Sequence, residues 1–218
     1  MNAPVPTQPG EEYYTHVRSQ ILDLLEPSSR FDEALEIGCA SGATLHALLR
    51  TNRVRRAVGV EAFPAAASIA RERLTDVVEM DAEQWLAQPT LTIHPDLVIV
   101  ADVLEHLVDP WVALQRLRAM QPRGGTLLLS MPNVQHWTVT VPLLVRGRWR
   151  YTESGLLDHT HLRFFTREGI LGLLRGANYA PEVSSVSTGP TGRLAIRLSA
   201  GLLRPWFAYQ YLFRCRAV

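Results

Sequence analysis

The chain has 218 residues, 47% hydrophobic and 20% charged, the make-up of a globular protein with a full core rather than of a disordered or fibrous one. Its formal charge is +1; all 22 basic residues are arginine, a usage that fits a GC-rich bacterial genome and excludes chemistry that needs a lysine. Two cysteines, Cys39 and Cys215, are too few for a disulfide framework or a cysteine metal site.

Residues 1–10, MNAPVPTQPG, lack the basic-then-apolar pattern of a signal peptide and are expected to be a flexible leader to a single domain over 11–218. No apolar run approaches the roughly 20 residues of a membrane-spanning helix, so the cytoplasm is the expected compartment. The charge is split unevenly. Residues 1–141 carry 11 arginines against 17 acids, and residues 142–218 carry 11 against 4. A basic C-terminal third fits a solvated face, an acidic acceptor, or peripheral contact with an anionic membrane.

In chain order, residues 11–25 have apolar positions at helical spacing and stop at Pro27, which predicts a leading helix. Strand and helix signals then alternate. ALEIG (34–38) reads as a buried strand and ATLHALLR (43–50) as a helix. AVGVEA (57–62) is a second strand, followed by a helix over 64–74 with Pro64 in its first turn. DVVEM (76–80) is a third strand. DLVIVAD (96–102) is a fourth, an unbroken apolar run between its two aspartates, as expected of a strand covered on both faces. A helix over 109–120 and a fifth strand over 124–133 complete a β-α-β-α rhythm that predicts a doubly wound parallel sheet. Residues 134–165 show no period and hold three histidines and two tryptophans; an irregular acceptor-binding lid is expected there. A helix from Thr166 as N-cap, an amphipathic helix over 193–205 and a final strand over 207–218 follow.

In such a sheet, ligands bind beyond the carboxyl ends of the strands, near the point where strand order reverses. The residues there are Gly38 to Gly42, Glu61, Asp81 and Ala101–Asp102, an acidic row without arginine. A phosphate loop of the GxxxxGK[ST] type is absent. A dinucleotide corner needs GxGxxG, whereas this one has Ala40 at the middle glycine, and Glu36 and Asp81 would repel a pyrophosphate. S-adenosylmethionine has no phosphate; its sulfonium, ammonium and ribose diol all suit carboxylates.

ALEIGCASG, the acid of GVEA, MDAE, and DLVIVADVLEHLVDP with GGTLLLSMPN resemble the successive motifs of class I S-adenosylmethionine-dependent methyltransferases over about residues 30–133. GRWRYTESGLLDHTHLRFFTREGI resembles a bacterial subgroup linked with polysaccharide genes and, more distantly, ubiquinone-pathway O-methyltransferases. The resemblance implies a Rossmann-like α/β fold with a mostly parallel seven-stranded sheet. It implies that Glu36, Gly38, Cys39, Ala40 and Gly42 surround the methionine end. Glu61 with Ala62 would hold the ribose, Asp81 and Ala82 would flank the adenine, and Ala101–Asp102 would form the floor near the sulfonium. Ala40 departs from the usual family glycine. Tyr13 or Tyr14 on the leading helix would close over the cofactor, where an aromatic face can meet a sulfonium.

Methyl transfer to a sugar hydroxyl needs a base, and histidine is the usual one. His136, His159 and His161 are the candidates; two apart in an extended segment, His159 and His161 should point the same way, with Asp158 orienting one of them. Asp102, Glu105 and His106 resemble an acid-x-x-acid-His set that binds a divalent ion in some O-methyltransferases, but histidine catalysis without a metal is the expectation. The acceptor is expected to be a small molecule or glycan, not nucleic acid, because no aromatic stacking platform is evident. Two alternatives are a nicotinamide-dependent sugar reductase or epimerase, disfavoured by the lack of a Tyr-x-x-x-Lys pair, and a non-catalytic cofactor-binding module, disfavoured by the intact acids.

Overall fold

A computed structural model describes residues 17–218. Seven strands form one sheet in the order β3-β2-β1-β4-β5-β7-β6. They are β1 (Phe31–Ile37), β2 (Val54–Glu61), β3 (Asp76–Glu79), β4 (Leu97–Ala101), β5 (Thr126–Pro132), β6 (Tyr179–Ser187) and β7 (Gln210–Ala217). β1 to β5 run parallel, and β7 enters antiparallel between β5 and β6. The helices are α1 (Ser19–Leu22), α2 (Ala43–Arg50), α3 (Pro64–Arg71), α4 (Ala82–Ala87), α5 (Pro110–Met120), α6 (Trp137–Arg146), α7 (Arg167–Gly176), α8 (Pro190–Leu198) and α9 (Arg204–Phe207), with a 3-10 turn over Leu104–His106. This is the Rossmann-like architecture expected from the alternating signals.

The central strands bury both faces, and their period of two sorts the core into two layers. Leu35, Val58, Val98, Leu127 and Phe213 face one side, where α4, α5 and α7 supply Trp85, Leu114 and Leu173. Ala34, Ala57, Leu97, Leu128 and Leu212 face the other, where α1, α2 and α3 supply Ile21, Leu45 and Ala70. Each fully buried leucine contributes about 1.5–3 kcal/mol relative to exposure, so both layers are needed.

Four local expectations change. The predicted helix over 11–25 is represented among the described residues by the single turn α1; its earlier part, with Tyr13 and Tyr14, lies outside them. The lid over 134–165 is not wholly irregular, because Trp137–Arg146 is helical despite Pro142. The helix expected over 193–205 is broken into α8 and α9, since Ala200 and Gly201 both take left-handed backbone, at φ +49° and +89°. Finally, α4 and β6 lack a sequence signal: α4 is six residues long, and β6 is an edge strand whose serines are partly or fully exposed.

Candidate active site

The sheet reverses its order between β1 and β4, and the carboxyl ends of the parallel strands meet there. β1 ends in a corner where Gly38, Ala40 and Gly42 have φ of +67°, +49° and +73°. A Cβ at Gly38 would lie 2.7 Å from Val103 Cγ2, and one at Gly42 would lie 2.8 Å from Leu74 Cγ. The second contact points into the core, so glycine at 42 is required by packing as much as by any ligand. Ala40 holds a left-handed conformation that costs an L-residue about 1–2 kcal/mol, which gives the physical reason a glycine is more usual at this place. Cys39 is buried behind the corner, with Sγ 3.7 Å from the Ala40 carbonyl, and burial raises its thiol pKa far beyond the reactive range.

Glu61, at the end of β2, fastens this corner. Its Oε2 accepts the Ala40 N–H at 2.8 Å and its Oε1 accepts the Phe63 N–H at 2.9 Å, while the side chain is buried. Each oxygen retains a further lone pair. Glu36 is buried beside the corner with Oε2 unpartnered among the described residues. Loss of hydration raises its carboxyl to about 8, opposed by the Arg18 guanidinium and the Leu45 amide and reinforced by Glu61. Asp81 caps α4, its Oδ1 accepting the N–H groups of Glu83 at 2.9 Å and Gln84 at 3.1 Å; it is exposed, as is Ala62, and Ala82 is half-buried.

Ala101 is buried at the end of β4, and Asp102 follows in left-handed backbone at φ +56°. The Asp102 carboxylate is fully engaged. It pairs with Arg18, accepts the Ser130 hydroxyl at 2.8 Å and accepts the Gln210 amide at 2.9 Å. Arg18, Ser130 and Gln210 were not anticipated: each is an ordinary polar residue in its own stretch, and only strand order brings them together.

The histidines divide. His159 is exposed and His161 buried, contrary to the expectation that they share a direction. The segment is a turn, not extended, because Asp158 Oδ1 accepts both the N–H and the hydroxyl of Thr160, at 2.8 and 2.7 Å. Asp158 lies 3.7 Å from His159, so that orienting contact exists, but on the surface. His161 packs edge-on against His106, with ring centroids 4.7 Å apart. Their Nδ1 atoms are held at the Leu156 carbonyl, 3.3 Å, and at the Thr160 hydroxyl, 3.0 Å. Ligand atoms of Glu105, His106 and His161 all lie within 4.8 Å of one another. Glu105 is buried with Oε2 unpartnered among the described residues, and burial raises its pKa well above the carboxylate range. Asp102, turned toward Arg18, is not part of this group.

His136 caps α6 just beyond the end of β5, its Nδ1 2.8 Å from the Thr138 hydroxyl. It lines a cavity of about 470 Å³ with Trp137, Thr188, Thr191, Phe207 and Tyr209. The Tyr209 ring meets the His136 ring edge-on, with centroids 5.5 Å apart, and the next residue, Gln210, is the one bonded to Asp102. The cavity therefore adjoins the strand ends. Desolvation lowers the His136 pKa, which keeps the imidazole neutral near pH 7.

Comparisons with known proteins agree with the fold. A structure of the N-methyltransferase NodS from Bradyrhizobium japonicum WM9, in complex with S-adenosyl-l-homocysteine, is 21% identical, with a TM-score of 0.61 over 91% of this chain and 84% of that one. A possible histamine N-methyltransferase from Thermotoga maritima is 18% identical, with a TM-score of 0.59 over 91% and 86%. The [4+2]-cyclase SpnF has the same fold at 18% identity and a TM-score of 0.61, over 91% and 79%. No curated protein matches the sequence significantly. The family described as "Methyltransferase domain" matches residues 10–182. The nicotinamide alternative loses its basis at this point: the chain belongs to the methyltransferase-domain family of S-adenosylmethionine-dependent enzymes.

Proposed function

We propose that this chain transfers the methyl group of S-adenosylmethionine to a hydroxyl of a saccharide or similar small metabolite held in the cavity beside His136. The cavity carries this reading. Its walls hold three aromatic rings and the hydroxyls of Ser187, Thr188 and Thr191, with no charged side chain among them. Aromatic faces against C–H edges and hydroxyl donors suit a neutral polyhydroxylated ligand, and offer nothing to neutralise an ammonium or a phosphate.

The cofactor would lie along the strand ends. The glycine corner takes the methionine part, the free lone pairs of Glu61 take the ribose hydroxyls, and Asp81 Oδ2 takes the adenine amine. Ala101 and Asp102 form the floor. The acceptor oxygen attacks the methyl carbon as the C–S bond breaks, the sulfur leaves as the thioether of S-adenosylhomocysteine, and the hydroxyl proton passes to His136 Nε2. A free Nε2 lone pair requires the tautomer in which Nδ1–H donates to the Thr138 hydroxyl at 2.8 Å, and in that state Nδ1 gives up the longer 3.4 Å contact with the Thr138 N–H that caps α6. Positioning accounts for about 7–11 kcal/mol of such a reaction. The test is calorimetry with S-adenosylhomocysteine and NAD, then a screen of glycans, phenols and amines with methyl-labelled cofactor. Binding of NAD alone, or label confined to amines, would overturn the proposal.

One observation favours a second reading of the acceptor chemistry. Two imidazoles and a buried carboxylate form the donor set that suits a divalent transition metal, and both imidazoles have Nδ1 tied to oxygen so that Nε2 remains for a ligand. Activity lost in chelator and restored by one divalent ion would move the acid–base role from His136 to Glu105, His106 and His161.

A further inference from the structure

Six exposed arginines, Arg146, Arg148, Arg150, Arg193, Arg197 and Arg204, fall in residues 134–150 and 188–209, two stretches with no aspartate or glutamate. The same stretches carry the most exposed large apolar side chains of the described residues: Leu144 at 82%, Leu198 and Leu202 at 79%, and Val145 at 73%. Trp206, at the α9 turn, is also exposed. The two stretches converge on the cavity, since Trp137 of α6 and Thr191 of α8 both line it.

Apolar side chains this open to water, in stretches whose only charged residues are arginines, need a partner that is oily and anionic at once. A nucleic acid would answer the arginines and leave the leucines in water. A second copy would set six arginines against six and is opposed by its own charge. A bilayer answers both, with guanidinium groups at anionic headgroups, leucines at the acyl boundary and tryptophan at the interface. Among the described residues no helix is long and apolar enough to cross a membrane, so the contact is one of lying on the surface.

We propose that α6 together with α8 and α9 forms a docking face for an anionic lipid bilayer. This does not depend on the acceptor proposed above. The test is sedimentation of the full chain with extruded vesicles, either phosphatidylglycerol mixed with phosphatidylcholine or phosphatidylcholine alone. Binding is expected to the first and to be weak to the second, and about 0.5 M salt should reduce it. The variants Leu198→Glu/Leu202→Glu and Leu144→Glu/Val145→Glu should each bind at least about tenfold more weakly. Their melting and their affinity for S-adenosylhomocysteine should be unchanged, because none of these residues lines the cavity or the core; that control separates failure of docking from failure of the cofactor assignment. Should a glutamate variant melt early, Arg193→Gln/Arg197→Gln/Arg204→Gln provides the same comparison. The proposal fails if the wild type stays in solution with anionic vesicles, if the variants bind as well as the wild type, or if ultracentrifugation finds a dimer that the leucine variants split, which would give the face to a second copy.

Discussion

Replacing Glu61 tests the strand-end site most directly, because the carboxylate has two tasks that can be measured separately. It accepts the Ala40 and Phe63 N–H groups at 2.8 and 2.9 Å while buried, and Ala40 is the strained residue of the corner. Glu61→Gln keeps one accepting oxygen and turns an NH2 group toward the other backbone donor. A hydrogen bond to a charged group is worth about 1.5–3 kcal/mol, so loss of one should cost about 2 kcal/mol of stability. For a chain of this size that lowers Tm by about 4–8 °C. A residue at the end of a strand need not belong to the core, but the burial of Glu61 and its hold on Ala40 give it a share in the fold. The second task is the cofactor. Without a full carboxylate for the ribose diol, affinity for S-adenosylhomocysteine should fall at least about tenfold, one hydrogen bond's worth. Denaturant titration gives the first quantity and calorimetry the second. An unchanged denaturation midpoint would mean that Glu61 does not hold the corner, and unchanged affinity would place the ribose elsewhere.

Glu36 should make stability fall with pH. Its folded pKa, about 8, stands above the ordinary 4.5, so the folded protein keeps a proton that the unfolded chain releases. That contribution is complete below pH 4.5 and is lost as pH rises toward 8; the urea midpoint of the ligand-free protein should be lower at about pH 8 than at about pH 5.5, and Glu36→Gln should flatten the difference. A difference that survives in the variant would assign it to another group. His136→Asn keeps a short polar cap on α6 and should lower turnover by about 10² or more with cofactor affinity unchanged; full turnover would remove His136 from the chemistry. With the His136 pKa lowered by desolvation, a base there stays competent below the usual histidine range, so the acidic fall in turnover should come at lower pH than for a free histidine. Ala40→Gly should relieve the left-handed strain, with a net gain of up to about 1 kcal/mol after the entropy of the added glycine is subtracted, read as a rise in Tm. A fall in Tm would show that the Ala40 methyl packs usefully.

The parallel half of the sheet was legible because its strands are apolar and its helices begin and end on recognisable residues. ATLHALLR became α2 residue for residue, and the acids after β2 and β3 stand at the strand ends as expected. What stayed hidden has no local signature. β6 presents exposed serines, and only its pairing with β7 makes it a strand. The role of Asp102 as a partner of Arg18, Ser130 and Gln210 depends on contacts across 84, 28 and 108 residues. The spacing of His159 and His161 misled because a side-chain hydrogen bond from Thr160 to Asp158 turns the backbone between them. His161 found His106 instead, a meeting over 55 positions that no period announces.

The place of β7 bears on how the molecule is made. It is the last strand in chain order, yet it sits inside the sheet, carries buried Leu212, Phe213 and Cys215, and supplies Gln210 to Asp102. As the chain leaves the ribosome, β5 must wait with an unpaired, apolar edge of Leu127 to Met131 until β7 emerges. Such an edge invites pairing with other chains, so the nascent protein is exposed to aggregation in the interval between the synthesis of β5 and that of β7. The same order of events reaches the end of β4: the Asp102 carboxylate, which pairs with Arg18 and Ser130, gains its third partner Gln210 only when β7 is in place.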